Sequence, residues 1–225
     1  MSEIRGQLLP VYVMADESMS MSNYVGELNA GLTSLHEALI AESMAAAKVR
    51  FSVLGFSDDV VVRLHLSDLR RERQLPELFS RGTTNYAAAF DALLYHIPQD
   101  VESLKRDQFQ VHRPAVFFLS DGQPSDGGSW LEPHRRLTDR SINPAAPNII
   151  ACGIGEAEPS TILGVATHQD FAFVTIEGTQ IGSAIAKFCT ALTKSIVASG
   201  QSLTTDSPTL VVDKPEGFRM AIDVI

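Results

Sequence analysis

The sequence predicts an α/β domain: a doubly wound, mostly parallel sheet with one antiparallel edge strand, helices on both faces and a C-terminal β-hairpin. Three observations support this class. Short apolar runs alternate with longer helical patterns, as in sheets whose strands are connected by crossover helices. Two strand-like runs are joined by the polar turn Asp58-Asp59. Near the end of the chain, Pro215 and Gly217 lie between two further short alternating segments.

Two apolar patterns predict the first strand and the first helix. Residues 8–15 (LLPVYVMA) are continuously apolar, which is typical of a strand buried on both faces. Four leucines then recur at steps of four, three and four residues, which places them on one helix face: Leu28, Leu32, Leu35 and Leu39.

The following elements continue the alternation. Residues 49–57 and 60–66 predict an antiparallel hairpin, which places one antiparallel strand at a sheet edge. Buried strands are predicted at 115–119 and 148–154, and a short strand at 171–176. Two apolar stripes predict helices over 87–97 and 181–196, formed by Ala87, Phe90, Leu94 and Ile97 and by Ile181, Ile185, Phe188, Leu192 and Ile196.

The composition changes near residue 200. We therefore predict an α/β domain over residues 1–200, and a linker with a C-terminal hairpin over residues 201–225. The linker, QSLTTDSPT, is small and polar, and the hairpin strands are predicted at 210–213 and 218–224. An exposed hairpin edge offers a homodimer contact by strand addition.

The charge and the apolar content limit the function classes. With 18 Lys and Arg against 27 Asp and Glu, the formal net charge is −9, which argues against nucleic-acid binding because phosphates need cationic partners. No apolar run approaches the roughly 20 residues that span a membrane. Residues 1–10 do not resemble a signal peptide. Cys152 and Cys189 are too few for a disulfide scaffold, so we expect a cytoplasmic protein with reduced thiols.

Polar oxygen-bearing residues stand at three points where strands end or a helix begins. Asp16, Ser18 and Ser20 form a D-x-S-x-S sequence after the first strand, Thr84 lies in GTTN before the second helix, and Asp121 lies in SDG after AVFFL. The carboxyl ends of neighbouring parallel strands form one crevice. These side chains are therefore predicted to converge.

The chemistry of these side chains favours a hard cation. Two carboxylates and three hydroxyls, without His or Cys, suit Mg²⁺ or Mn²⁺ and not Zn²⁺ or Cu²⁺. Mg²⁺ takes six oxygen ligands, so five side chains leave at least one position for an outside ligand.

The D-x-S-x-S, GTTN and SDG sequences resemble, in order and spacing, the metal-ion-dependent adhesion site of von Willebrand factor A (VWA) domains, from about residue 8 to about residue 199. The segments VFFLSDGQPSD and FSVLGFSDD are similar to the bacterial TerY-like branch, which is associated with tellurium resistance and stress clusters.

The resemblance implies a role for each site residue. Ser18 and Ser20 would bind the metal directly, and Asp16, Thr84 and Asp121 directly or through water. GTTN places Thr83 on the second Gly of the family pattern GGTN, which makes Thr84 the expected ligand. The open position would take an Asp or Glu carboxylate of a partner protein. The implied function is a non-enzymatic, metal-dependent interaction module.

Three residues near the motif have simpler expected roles. Asp126 is expected to cap a helix that starts near Ser129, and Glu17 to be a solvated neighbour of the site. Trp130 is expected near the rim of the crevice, either as a partner contact or as a packing residue.

The alternative function is a Mg²⁺-dependent phosphohydrolase on a similar α/β sheet. Such a phosphatase also has an Asp at the end of strand one, but it needs a second Asp where this chain has Ser18. No His, Lys or Cys accompanies the motif as a base for a nucleophile. The residues therefore favour binding over catalysis.

Overall fold

The computed structural model describes residues 4–203, 205 and 207–221. The strands are β1 (Gly6–Asp16), β2 (Val49–Phe56), β3 (Val60–Ser67), β4 (Phe109–Val111), β5 (Ala115–Ser120), β6 (Asn148–Gly153), β7 (Ala172–Thr175) and β8 (Phe218–Met220). The α-helices are α1 (Val25–Ala41), α2 (Ser43–Lys48), α3 (Tyr86–Arg106), α4 (Leu131–Thr138), α5 (Pro159–Val165) and α6 (Ile181–Ser202). Short 3₁₀-helices cover Met19–Asn23, Leu69–Arg71 and Gln169–Phe171.

The strands form one sheet in the order β3-β2-β1-β5-β6-β7-β8, and the short β4 pairs with the beginning of β1. The central pairs are parallel, and β3 runs antiparallel to β2 at one edge. The predicted α/β class with its antiparallel edge strand is therefore confirmed. The strand β4 was not predicted from the sequence.

The C-terminal strand pair is also present, but β8 pairs with a different segment from the predicted one. It runs antiparallel to β7, whereas residues 210–213 are not a strand and lie along α6. The α6 hydroxyls of Ser195 and Ser199 accept hydrogen bonds from the backbone N–H groups of Asp213 (2.8 Å) and Val211 (2.9 Å). The backbone of β8 therefore hydrogen-bonds to the edge of β7, and the two N–H groups of residues 210–213 bond to α6, so neither segment needs a local hairpin. Residues 222–224 of the predicted second strand lie outside the described residues.

The helices cover both faces of the sheet, as a buried parallel sheet requires. Alternate β1 residues point to opposite faces: Val11 and Val13 pack in the cluster that includes α1 and α6, and Tyr12 and Met14 in the cluster that includes α3. The parallel register aligns Asp16 with Phe56 of β2. The carboxyl ends of the central strands therefore lie at one edge of the sheet.

The helix α6 extends to Ser202, six residues beyond the predicted end at Ile196. Among the described helices it is the one whose length and composition would allow it to cross a membrane. Its apolar face, including Phe188, Leu192 and Ile196, is buried in the core against the sheet. Since a core helix has the same composition, we interpret α6 as part of the core.

Candidate metal centre

The D-x-S-x-S turn brings three oxygen-bearing side chains together. The strand β1 ends at Asp16, and the chain turns directly into the 3₁₀-helix Met19–Asn23. The Asp16 carboxylate accepts a hydrogen bond from the backbone N–H of Ser18 (2.8 Å). The hydroxyl oxygens of Ser18 and Ser20 are 2.9 Å apart. The turn thus clusters the first three predicted site residues.

The end of β5 completes this cluster from a distant part of the sequence. The Ser20 hydroxyl donates to Asp121 Oδ1 (2.7 Å). The hydroxyl of Ser120 donates to Asp16 Oδ2 (2.6 Å). The two aspartates therefore belong to one hydrogen-bonded cluster at the carboxyl ends of β1 and β5, as the topology of the sheet predicts.

The two threonines of the GTTN loop differ in their partners. The backbone N–H and the hydroxyl of Thr83 both donate to Asp58 Oδ1, at 2.9 and 2.6 Å. The Thr84 side chain is buried beside the Asp121-Gly122 turn, and its hydroxyl lies 3.7 Å from where a Cβ on Gly122 would stand. Within the described part of the chain this hydroxyl makes no hydrogen bond. The geometry thus favours Thr84 as the threonine that faces the site.

Burial gives both carboxyl groups an electrostatic reason to accept a cation. Burial raises the pKa of Asp16 to about 6. Hydrogen bonds from Ser120 and Ser18 act in the opposite direction, but their effect is smaller. Burial also raises the pKa of Asp121. At neutral pH both charges are therefore held in surroundings that disfavour them, and a bound cation would offset that cost.

The donor set fits a hard divalent cation. Asp16, Ser18, Ser20, Thr84 and Asp121 offer carboxylate and hydroxyl oxygens, which Mg²⁺ and Mn²⁺ prefer. The described residues contain no group of three or more His, Cys, Asp and Glu side chains arranged for a metal. The Thr84 residue is mostly buried, but its hydroxyl makes no hydrogen bond to the described residues and is not among their fully buried atoms, so it is free to take an outside ligand.

Glu17 is the main residue whose role the sequence analysis missed. Its side chain is completely buried, so the expectation that it is solvated was wrong. The carboxylate binds Arg63 through two hydrogen bonds (2.9 and 2.8 Å) and Arg81 Nε through a third (2.7 Å). The side chain crosses β2 at Gly55, where a Cβ would stand 2.2 Å from the Glu17 carboxyl carbon. A glycine within an otherwise apolar strand was the available sequence signal for this close approach.

The Glu17 ion pairs connect the D-x-S-x-S turn to the loop that carries Thr84. Arg81 binds Glu17, and its guanidinium also donates to the carbonyl oxygen of Gly55 (3.0 Å). The backbone N–H of Phe79, earlier in the same loop, donates to Glu17 Oε1 (3.1 Å). Glu17 is thus placed to position the site through these contacts.

Asp126 and Trp130 follow the Asp121-Gly122 turn in the sequence, and each has a structural role. Asp126 accepts hydrogen bonds from the backbone N–H of Ala87 (2.8 Å) and of Gly128 (3.2 Å). It therefore caps the start of α3, and the expectation that it caps the following helix was wrong. Trp130 is buried and packs its ring 6.0 Å from that of Tyr86, whose hydroxyl donates to the carbonyl oxygen of Gly122 (3.2 Å). Of the two roles considered for Trp130, the structure supports packing.

Comparison with known structures identifies relatives of this fold. The chain resembles proximal thread matrix protein 1 of the mussel byssus, which was solved with zinc in its metal-ion-dependent adhesion site (MIDAS) motif. The TM-score is 0.60 and the identity 15%, and the match covers 87% of this chain and 49% of that one. It resembles the pilus adhesin SpaC of Lactobacillus rhamnosus GG (TM-score 0.62, 12% identity, 86% and 30%). It also resembles a von Willebrand factor type A protein of Catenulispora acidiphila (TM-score 0.55, 14% identity, 96% and 56%).

These similarities show the fold, and the chain spans between about a third and just over half of the length of those proteins. No curated protein matches the chain significantly in sequence. The profile of the von Willebrand factor type A domain matches residues 11–123, half of the 225-residue chain. The matched region contains all five predicted site residues. The chain therefore belongs to the von Willebrand factor type A domain family.

Proposed function

We propose that this protein is a metal-dependent protein-interaction module and not an enzyme. The observation that carries the proposal is the convergence of Asp16, Ser18, Ser20, Thr84 and Asp121 at one edge of the sheet, with the Thr84 hydroxyl left without a hydrogen-bond partner among the described residues. Ser18 and Ser20 would hold the ion directly, and the other three directly or through water. The ion would supply an electrophilic attachment point for an outside oxygen ligand.

The proposed ion is Mg²⁺ or Mn²⁺. The oxygen-only donor set supports this choice. The mussel byssus protein was solved with zinc in its motif, so zinc belongs among the ions to be tested. The five side chains leave at least one of six positions open.

The proposed ligand for the open position is an Asp or Glu carboxylate of a partner protein. A cation between the buried aspartates and this carboxylate would offset their repulsion, in a chain whose formal net charge is already −9. The description of SpaC as a pilus adhesin supports an interaction role. Ser18, where the phosphohydrolase alternative needs a second carboxylate, favours binding over catalysis.

We also propose a biological system, a compartment and an oligomeric state for this protein. The similarity of VFFLSDGQPSD and FSVLGFSDD to the TerY-like branch supports a role in a bacterial stress or tellurium-resistance system, in the cytoplasm. A homodimer through the C-terminal strand pair is proposed because β8 ends the sheet order, and an outer strand edge can accept a further strand.

A relaxation experiment tests whether the ion keeps an open position. Water bound to Mn²⁺ on the protein accelerates the relaxation of bulk water protons, and an added carboxylate that replaces this water lowers the acceleration. We expect acetate to lower it for the Mn²⁺-loaded protein and acetamide, its uncharged analogue, to leave it unchanged. Equal effects of the two compounds would contradict a carboxylate-binding position.

A hydrolysis assay discriminates the enzyme alternative. With Mg²⁺ present, we expect hydrolysis of a generic phosphate monoester to stay at the rate of the metal-only control. Hydrolysis above that control that is lost in Asp16→Asn would favour the phosphohydrolase.

A further inference from the structure

The residue between the two site serines is a large exposed apolar side chain. Met19 lies between Ser18 and Ser20, and 62% of its surface is exposed. Its backbone N–H donates to the carbonyl oxygen of Gly82 (3.1 Å). An exposed apolar side chain is therefore the immediate chain neighbour of two of the proposed metal-binding hydroxyls.

A second exposed apolar side chain lies on the neighbouring loop. Phe79 is 55% exposed, although its backbone N–H is fixed by the buried Glu17 carboxylate (3.1 Å). The guanidinium of Arg63 lies 5.3 Å from the centre of the Phe79 ring, within the range of a cation–π contact. Because Glu17 also binds Arg63, the guanidinium that contacts one face of the ring is held in place. The rest of the ring is exposed to solvent.

Ser80 connects these two positions. Its hydroxyl donates to the carbonyl oxygen of Ser18 (3.0 Å) and lies 3.8 Å from the sulfur of Met19. Met19 and Phe79 therefore lie on two neighbouring segments that are hydrogen-bonded to each other, and we call them the Met19–Phe79 surface. A surface whose backbone is already ordered loses little entropy when a partner binds.

We propose that the Met19–Phe79 surface docks a partner segment in which a large apolar side chain adjoins the carboxylate that binds the metal. This inference rests on the proposed function, and it specifies the partner class. Contiguity supports it, because the apolar side chains border the residues that would hold the ion. Charge supports it as well: Asp58 and Asp59 are exposed on the β2–β3 turn beside this loop and contact Thr83 and Arg81. Asp59 is paired with Arg81, but the exposed Asp58 carboxylate has no ion-pair partner among the described residues and would disfavour a second acidic side chain more than an apolar one.

Short peptides test the proposal without a known partner. The probes contain Asp-Leu or Leu-Asp, with Asp-Ser and Asn-Leu as controls, at saturating Mg²⁺. Binding is followed by NMR of ¹³C-labelled methionine methyl groups, which separates Met19 from the equally exposed Met44 (62% and 63%) on the remote helix α2. We expect one Asp–Leu order to bind about tenfold more tightly than Asp-Ser, since burying most of a leucine side chain contributes that much. The Met19 signal should shift and the Met44 signal should not.

Surface variants complete the test. We expect Met19→Ser and Phe79→Ser to remove the preference for leucine, and Met44→Ser to keep it. Because all three residues are exposed, equal melting temperatures without metal serve as the folding control. Equal binding of the leucine peptides and Asp-Ser would overturn the apolar surface and leave the proposed function intact. Asn-Leu binding as tightly as Asp-Leu would overturn the carboxylate role, and the absence of any binding would overturn both.

Discussion

The Glu17→Gln variant is expected to unfold with a free energy about 3 kcal/mol lower than that of the wild type. The substitution keeps the shape of the side chain but removes the negative charge that two arginines share. Arg63 and Arg81 retain 17% and 25% of their side-chain exposure, so water compensates part of the loss. We therefore place the cost at the lower end of the range for breaking a buried ion pair.

Thermal and chemical denaturation measure this effect. In a chain of this length, about 3 kcal/mol corresponds to a melting temperature lower by roughly 6–12 °C. Glu37→Gln, on the exposed face of α1, is the matched control and should change stability by less than about 0.5 kcal/mol. If Glu17→Gln proves as mild as this control, Glu17 does not position the site in the way described.

The second large effect concerns metal-induced stability and Asp121. An ion at a hundred times its dissociation constant stabilises the folded state by about 2.7 kcal/mol, which raises the melting temperature by roughly 5–10 °C. We expect this rise in the wild type with Mg²⁺ or Mn²⁺ after chelation, and its loss in Asp121→Asn. Asp107→Asn, exposed at the end of α3, is the control and should keep the full response.

The pH dependence of this rise provides a second readout. Because the folded-state pKa of Asp16 is raised from 3.8 to about 6, the metal-free protein holds this proton more tightly when folded than when unfolded. Its stability should therefore fall as the pH rises from about 4 to about 6. Metal competes with the same proton, so the metal-induced rise should be smaller at about pH 5 than at about pH 7.5. A rise that is independent of pH, or that persists in Asp121→Asn, would contradict the assigned residues.

The parts of the fold that could be predicted are those with a local signature. Parallel strands buried on both faces appear as continuous apolar runs, so β1, β5 and β6 were predicted to within one or two residues of their observed ends. The convergence of Asp16, Ser20 and Asp121 followed from one rule of topology, that parallel strands share a carboxyl edge. No contact had to be known in advance.

The features that could not be predicted depend on contacts between distant segments. Burial of Glu17 requires Gly55 on β2 and Arg63 on β3 to lie beside β1, and nothing local distinguishes it from a solvated glutamate. Asp126 caps α3 across a gap of 39 residues. The partner of β8 is β7 because that strand has a free edge, and a pattern of turn residues cannot show a competing edge elsewhere.

Direct Mn²⁺ binding by the metal-free protein, followed by electron paramagnetic resonance, tests the central claim that these five residues hold an ion. The Thr84 hydroxyl has no partner among the described residues, so Thr84→Val should leave the metal-free melting temperature nearly unchanged. We expect Thr84→Val to weaken Mn²⁺ binding at least about tenfold, equivalent to about 1.4 kcal/mol, and Thr84→Ser to retain it. Wild-type protein that does not bind Mn²⁺, or Thr84→Val that binds it as tightly as Thr84→Ser, would contradict the account.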